Sequence, residues 1–225
     1  MFAFNYRALL AITLLGATAW GHAAELESLE QRFGYVLGYQ FGQQLKAEGV
    51  QLDAQSLAAA VQDVMDGKPL QMSREQMQAA LDEAREALLA RKQAKAEAAL
   101  TAGREFLQRN RDNEGVKVLE SGLQYKVLQA GTGETPTAES TVKVHYRGKL
   151  IDGTEFDSSY GRGEPTSFSL NGVIPGFRES LMRMNKGAKW QVFIPSELGY
   201  GAKGAGASIG PNETLIFEIE LIDFE

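Results

Sequence analysis

The 225-residue chain has no cysteine. Disulfides and thiolate metal sites are excluded, and so is a lipid anchor attached at a cysteine. Histidine is nearly missing, with His22 and His145 the only two. His22 lies in an apolar leader, so the rest of the chain keeps one imidazole and a multi-histidine zinc site is out. Positive charge is in deficit: 23 Lys and Arg face 29 Asp and Glu, for a net charge of −6. A nucleic-acid binder would show the opposite field, so no nucleic-acid partner is expected. The longest leader run, residues 8–19, falls short of the roughly 20 apolar residues that a spanning helix needs.

What the chain does contain begins with that leader, "MFAFNYRALLAITLLGATAWGHAAELE", where Arg7 is the only charge before Glu25. Small residues at Gly21 and Ala23 suit the −3 and −1 positions of a cleavage site. Residues 1–23 therefore read as a signal peptide, with an uncleaved membrane anchor as the rival reading. Cleavage removes Arg7 and leaves 22 basic against 29 acidic residues, a charge near −7 with no membrane segment remaining. The remaining length suits one large domain or two small ones.

Residues 24–72 read as helical. Leu26, Leu29, Phe33, Leu37, Phe41 and Leu45 recur at helical spacing, and Gly49 is a stop. Gly34, Gly38 and Gly42 form a line on the same helix. Each costs about 1 kcal/mol relative to alanine, so a second backbone is expected to pack there, either within the subunit or across a dimer. Asp53 suits the cap of a second helix that Gly67 and Pro69 end. Ser73 and Gln76 then form a capping-box pattern. From there to about residue 110 the chain is rich in Ala, Glu, Lys, Gln and Arg, with no proline. That predicts one connecting helix of roughly 55 Å over 73–112, polar enough to be an exposed spacer.

Past residue 113 glycines multiply and apolar residues alternate. "TVKVHYRGKL" places Val142, Val144 and Tyr146 on one face of a strand and Lys143, His145 and Arg147 on the other. "AKWQVFI" and "ETLIFEIELIDFE" read as further strands, the last with Leu215, Phe217, Ile219 and Leu221 on one face. "PGFRESLMRM" reads as a short helix presenting Phe177, Leu181 and Met184. The fold class is α+β: helical front, long connecting helix, then an antiparallel sheet wrapped on a short helix over 113–225.

Familiar chemistry fails in turn. His145 sits between Lys143 and Arg147 on a wet face, unlike an oriented base. "GYGAKG" fits a dinucleotide loop only if a helix follows, and "AGASIGPNE" is no helix. "NET" at 212–214 matches a glycosylation acceptor too common to weigh. No carboxylate pair for glycoside hydrolysis stands out, nor any nucleophile–base set. What remains is a cluster of aromatics: Tyr146, Phe156, Phe168, Phe177, Trp190, Tyr200 and Phe217. Asp157 lies beside Phe156 in "GTEFDSS", where an Asx turn onto Ser159 is one reading of it.

"VHYRGKLIDGTEFDSS", "GRGEPTSFSL", "VIPGFRESLMRMNKGAKWQVFIPSELGYG" and "NETLIFEIELI" together resemble the FKBP-type peptidyl-prolyl cis-trans isomerase domain. "GYVLGYQFG" and the long helix resemble the N-terminal dimerisation region of the macrophage-infectivity-potentiator-like subgroup, whose members are exported V-shaped homodimers. The resemblance implies a prolyl isomerase in the periplasm, outer-membrane associated or secreted, acting on unfolded or proline-containing polypeptides. It needs no cofactor and no metal. It implies a homodimer through the N-terminal helices and adds macrolides as inhibitors. It places Tyr146, Phe156, Val173, Ile174, Phe177 and Phe217 around the pocket and Ile209 on a flap. Tyr200 offers its hydroxyl to substrate, and Asp157 accepts from Tyr146 and pairs with Arg162. Phe177 stands where tryptophan is frequent, Thr166 where some members have an aromatic, and Ala205 where some have histidine. These departures bear on macrolide affinity and substrate preference. The other function open to the residues is a proline-binding holdase that grips without turnover.

Overall fold

The computed structural model describes residues 26–225. The signal peptide expected over 1–23 lies outside them. Three helices come first: α1 (Leu29–Glu48), α2 (Ala54–Met65) and α3 (Arg74–Asn110). Gly49 and Gly67 follow α1 and α2 at φ 70° and 65°, the left-handed conformation that closes a helix at little cost. The Asp53 carboxylate accepts from the Ser56 N–H at 2.8 Å and starts α2. At α3 the capping box forms in full: the Gln76 N–H donates to Ser73 at 3.2 Å, and the Ser73 N–H donates to the Gln76 side chain at 2.8 Å. Among the described residues no helix is long and apolar enough to cross a membrane.

Seven strands follow: β1 (Val116–Val118), β2 (Gln124–Gln129), β3 (Thr141–Leu150), β4 (Glu155–Ser158), β5 (Thr166–Ser169), β6 (Lys189–Ile194) and β7 (Leu215–Phe224). They make one antiparallel sheet in the order β1-β2-β6-β7-β3-β4, with β5 paired to β3. A short helix, α4 (Pro175–Leu181), lies between β5 and β6 and starts on a proline. The alternation read from the sequence sets the core. Val142, Val144, Leu215, Ile219 and Leu221 are fully buried, with Leu181 and Met184. Met184 was expected on the helix but lies three residues past its end.

Two expectations need correcting. The first concerns α3, whose front portion is exposed but whose last turns are not a spacer. Ala96, Ala99, Leu100, Gly103, Phe106, Leu107 and Asn110 form one sheltered stripe. Phe106 meets Phe193 of β6 at 5.9 Å between ring centroids. The Asn110 amide donates to the Gln124 side chain at 2.8 Å, and Gln124 donates back to the Leu107 carbonyl at 2.9 Å. Gly103 is buried against Thr214, and a Cβ there would lie 2.3 Å from Oγ1. The second concerns His145, which is half-covered rather than freely wet. The turn after β4 folds over it, so its Nδ1 lies 3.0 Å from the Ser159 hydroxyl and its ring stacks on Tyr160 at 4.8 Å.

Candidate active site

Strands β3, β4, β5 and β7, the start of α4 and two loops enclose a cavity of about 460 Å³. Phe177, at the first turn of α4, lines it and is 4% exposed. Around it the rings meet edge to face: Phe177 and Phe217 at 5.1 Å, Phe156 and Phe217 at 5.5 Å, Tyr146 and Phe168 at 5.5 Å. That arrangement sets the positive edge of one ring against the negative face of the next. Val173, Ile174, Ile209 and Tyr200 complete the lining, with Ile209 buried and Tyr200 39% exposed.

The stretch "GTEFDSS" has a specific backbone. In the β3–β4 ladder Gly148 faces Asp157 while Lys149 faces Glu155, so Phe156 is the extra residue of a bulge. A regular strand would send neighbours to opposite faces. With the bulge, both Phe156 and Asp157 line the cavity. Gly148 makes room for this, since a Cβ there would lie 2.5 Å from the Phe156 ring.

The Asp157 carboxylate accepts from the Tyr146 hydroxyl through Oδ2. Its Oδ1 accepts from Arg162 at 2.8 Å. The other guanidinium nitrogen donates to the Tyr146 hydroxyl at 2.9 Å and to the Thr166 hydroxyl at 3.1 Å. Burial disfavours the charge on Asp157. The hydrogen bonds from Tyr146 and Arg162, with the guanidinium charge, outweigh it and hold the carboxyl below its ordinary value. Burial and the neighbouring carboxylate push the Tyr146 phenol up. Tyr146 thus keeps its proton and Asp157 its charge across the physiological range.

Of the ten site residues expected from sequence, nine line this cavity; Arg162 does not. It pairs with Asp157, the partner expected for it, and its fork also reaches Tyr146 and Thr166. Thr166 likewise turns from a missing aromatic wall into an anchor for that guanidinium. Phe168, Gly172, Ala205, Gly206 and Ser208 also line the cavity and were not expected as site residues. Phe168 faces Val142 across β5 and β3, so its place on the inward face was readable from alternation. The loop glycines and Ser208 carried no such signal.

The lining offers one carboxylate and a few hydroxyls among apolar groups. Fold and cavity together define an α+β domain with an aromatic-lined slot and one carboxylate on its edge. Comparison with known proteins agrees. Residues 132–222 match the model of the FKBP-type peptidyl-prolyl cis-trans isomerase, and residues 30–127 match that of the domain amino terminal to it. The chain is 41% identical to the outer membrane protein MIP of Legionella longbeachae over 96% of its own length and 94% of that protein. It is 44% identical to the FKBP-type 22 kDa peptidyl-prolyl cis-trans isomerase of Escherichia coli over 88% and 96%. The crystal structure of FkpA from Escherichia coli superposes with a TM-score of 0.67 at 37% identity, covering 89% of this chain and 98% of that one. The chain belongs to the FKBP-type peptidyl-prolyl cis-trans isomerases and is an enzyme of that class, of the Mip-like kind with an amino-terminal helical domain.

Proposed function

We propose that this isomerase acts on exported polypeptides in the periplasm and that the aromatic slot is where it does so. The observation that carries the reading is the slot itself: an apolar floor at Phe177, walls at Phe156 and Phe217, and a hydrogen-bonded edge of Tyr146, Asp157 and Arg162. Prolyl isomerisation breaks no bond. Its barrier, about 18–20 kcal/mol, is the loss of amide resonance on twisting. Unassisted exchange takes roughly tens to hundreds of seconds. The twisted amide is less charge-separated than the planar one, so a water-poor slot favours the transition state over the ground state. Val173 and Ile174 close the side, and Ile209 covers the proline ring. Tyr200 donates its hydroxyl to the rotated carbonyl, adding preference for that geometry. Asp157 transfers no proton; it holds the slot edge, with Arg162 acting through it.

Export rests on the leader at 1–23 and on similarity to a protein named for the outer membrane. The domain division proposed is 24–72 for dimerisation, 73–112 for the connecting helix and 113–225 for isomerisation. Support for a homodimer comes from α1, which buries no residue while Leu29, Phe33, Leu37 and Phe41 stand exposed. Two linked slots would raise the effective concentration of one at a client held by the other. Macrolides remain candidate inhibitors, with Phe177 as a floor that lacks an indole donor.

The test is a protease-coupled assay on a peptide of the Ala-Leu-Pro-Phe type, with wild type and Tyr200→Phe side by side. Wild type accelerates exchange over background and the variant lowers kcat/KM severalfold while melting as wild type does. No acceleration by wild type refutes the reading and leaves a holdase. Equal turnover in the variant removes Tyr200 from the mechanism.

A further inference from the structure

The flap over the slot is tied to the long helix. Residues 204–211 form the flap, pinned across its base where the Ala205 N–H donates to the Ile209 carbonyl at 2.8 Å and the Ile209 N–H to the Ala205 carbonyl at 3.1 Å. Ala205, Gly206, Ser208 and Ile209 line the cavity. The chain then returns toward β7 through Asn212, the one non-glycine residue with positive φ among those described, at 59°. Its backbone N–H donates to the Gly201 carbonyl at 2.9 Å. Its side-chain Nδ2 donates to the Ala96 carbonyl of α3 at 3.2 Å, 116 residues away in sequence. Two residues on, Thr214 is 3% exposed and lies against Gly103. Ala96 and Gly103 are seven apart, so they share one helix face two turns apart.

We propose that Asn212 is a positioning residue for the isomerase reaction: through it, α3 sets how the flap sits over the slot, so the helix tunes substrate affinity. The proposal rests on the slot being the proline site. Asparagine suits the role on two counts. It tolerates the left-handed backbone, and its amide supplies a donor to the second lone pair of a helical carbonyl. The same bond engages with α3 the amide nitrogen that a glycan on "NET" would occupy. Freeing the return arm leaves the slot floor and its edge in place. The loss therefore falls on how firmly the flap covers bound peptide, which KM reads, and not on the rotation of a bound amide, which kcat reads.

The test uses the full chain with Asn212→Gly and Asn212→Asp. Glycine keeps the left-handed backbone and removes the donor. Aspartate keeps the shape and sets a carboxylate against the carbonyl. Kinetics on an X-Pro peptide are measured with hydrogen exchange of the 204–211 segment. The expected result is a KM raised about threefold to tenfold in both, the worth of one side-chain hydrogen bond, with kcat within twofold. Exchange is faster in the flap and unchanged in β3 and β7. KM within twofold of wild type in both variants overturns the proposal. So does faster exchange across the whole sheet, which would make Asn212 a merely structural residue. If wild type itself shows no turnover, it is the slot reading that fails; if wild type turns over and the variants match it, only the tether fails.

Discussion

Removing the Asp157 carboxylate tests whether the slot edge belongs to the catalytic machinery or is an ordinary surface ion pair. In Asp157→Ala the Tyr146 hydroxyl loses its acceptor and Arg162 loses its 2.8 Å partner. Arg162 keeps Tyr146 at 2.9 Å and Thr166 at 3.1 Å, so it does not collapse into the slot. The stability cost is small, because the two charged side chains are 45% and 47% exposed. Such a pair contributes about 0–1 kcal/mol, and the hydrogen bond from Tyr146 adds about 1 kcal/mol. A loss of about 1–2 kcal/mol leaves a domain of ordinary stability folded. The catalytic cost is larger. The bond to Asp157 fixes the Tyr146 ring in the slot wall, and a displacement of about 1 Å at a reacting centre costs up to about a hundredfold, so kcat/KM falls roughly tenfold to a hundredfold. Asp157→Asn keeps an acceptor without the charge and falls between. The control is Asp223→Ala, which breaks the Lys186–Asp223 pair at 2.6 Å, with side chains 52% and 55% exposed and neither residue lining the slot. It leaves kcat/KM within twofold. Peptide kinetics and thermal melts measure both quantities. If Asp157→Ala retains wild-type turnover, or if the control loses as much, the slot edge has no catalytic role.

Three further outcomes follow from the same structure. The folded Asp157 pKa lies below its ordinary 3.8, so its contribution is complete above that pH and is lost as pH falls through the folded value. The folded Tyr146 pKa lies above its ordinary 10.0, so its contribution is lost only as pH rises beyond that. Turnover by NMR exchange is therefore flat from about pH 5 to 9, and an inflection inside that window would reveal a proton carrier that this mechanism lacks. Gly103→Ala gains about 1 kcal/mol of helix propensity and loses about 1–3 kcal/mol to the Thr214 clash, so its urea midpoint falls and Thr214→Ala restores it; a midpoint that rises in the single variant would show that α3 is not packed there. If α1 and α2 hold the proposed dimer, deleting residues 24–72 gives an active monomer by light scattering, and a persistent dimer would move the interface away from them.

The sequence revealed most where one physical rule governs a long stretch. Alternation in β3 and β7 identified the buried faces, and capping residues marked where α2 and α3 begin. The docked end of α3 escaped because only part of its stripe, Leu100, Phe106 and Leu107, looks hydrophobic. Ala96, Gly103 and Asn110 are small or polar, and what holds them is close approach at Gly103 and amide hydrogen bonds at Asn110. Periodicity counts apolar side chains, so a surface made by the absence of a side chain is invisible to it. The flap tether was hidden for a different reason: Asn212 and Ala96 are joined by the fold alone.

The slot edge shows how far a local pattern can mislead. By period-two alternation Phe156 and Asp157 belong on opposite faces, one in the core and one in water. The bulge at Phe156 removes that conflict and turns both toward one cavity. It forms beside Gly148, whose missing Cβ is the space the Phe156 ring occupies. Arg162 then takes the outer side of the carboxylate and Tyr146 the inner side. An acid with no proton to transfer thus acquires a role through geometry. Its charge is paired by a guanidinium that is not part of the slot lining, so under the proposed function the wall stays hydrogen-bonded without setting a free charge against the substrate amide. A reaction whose barrier is amide conjugation requires that of its site, since a free charge would favour the planar, more dipolar ground state and oppose the twist.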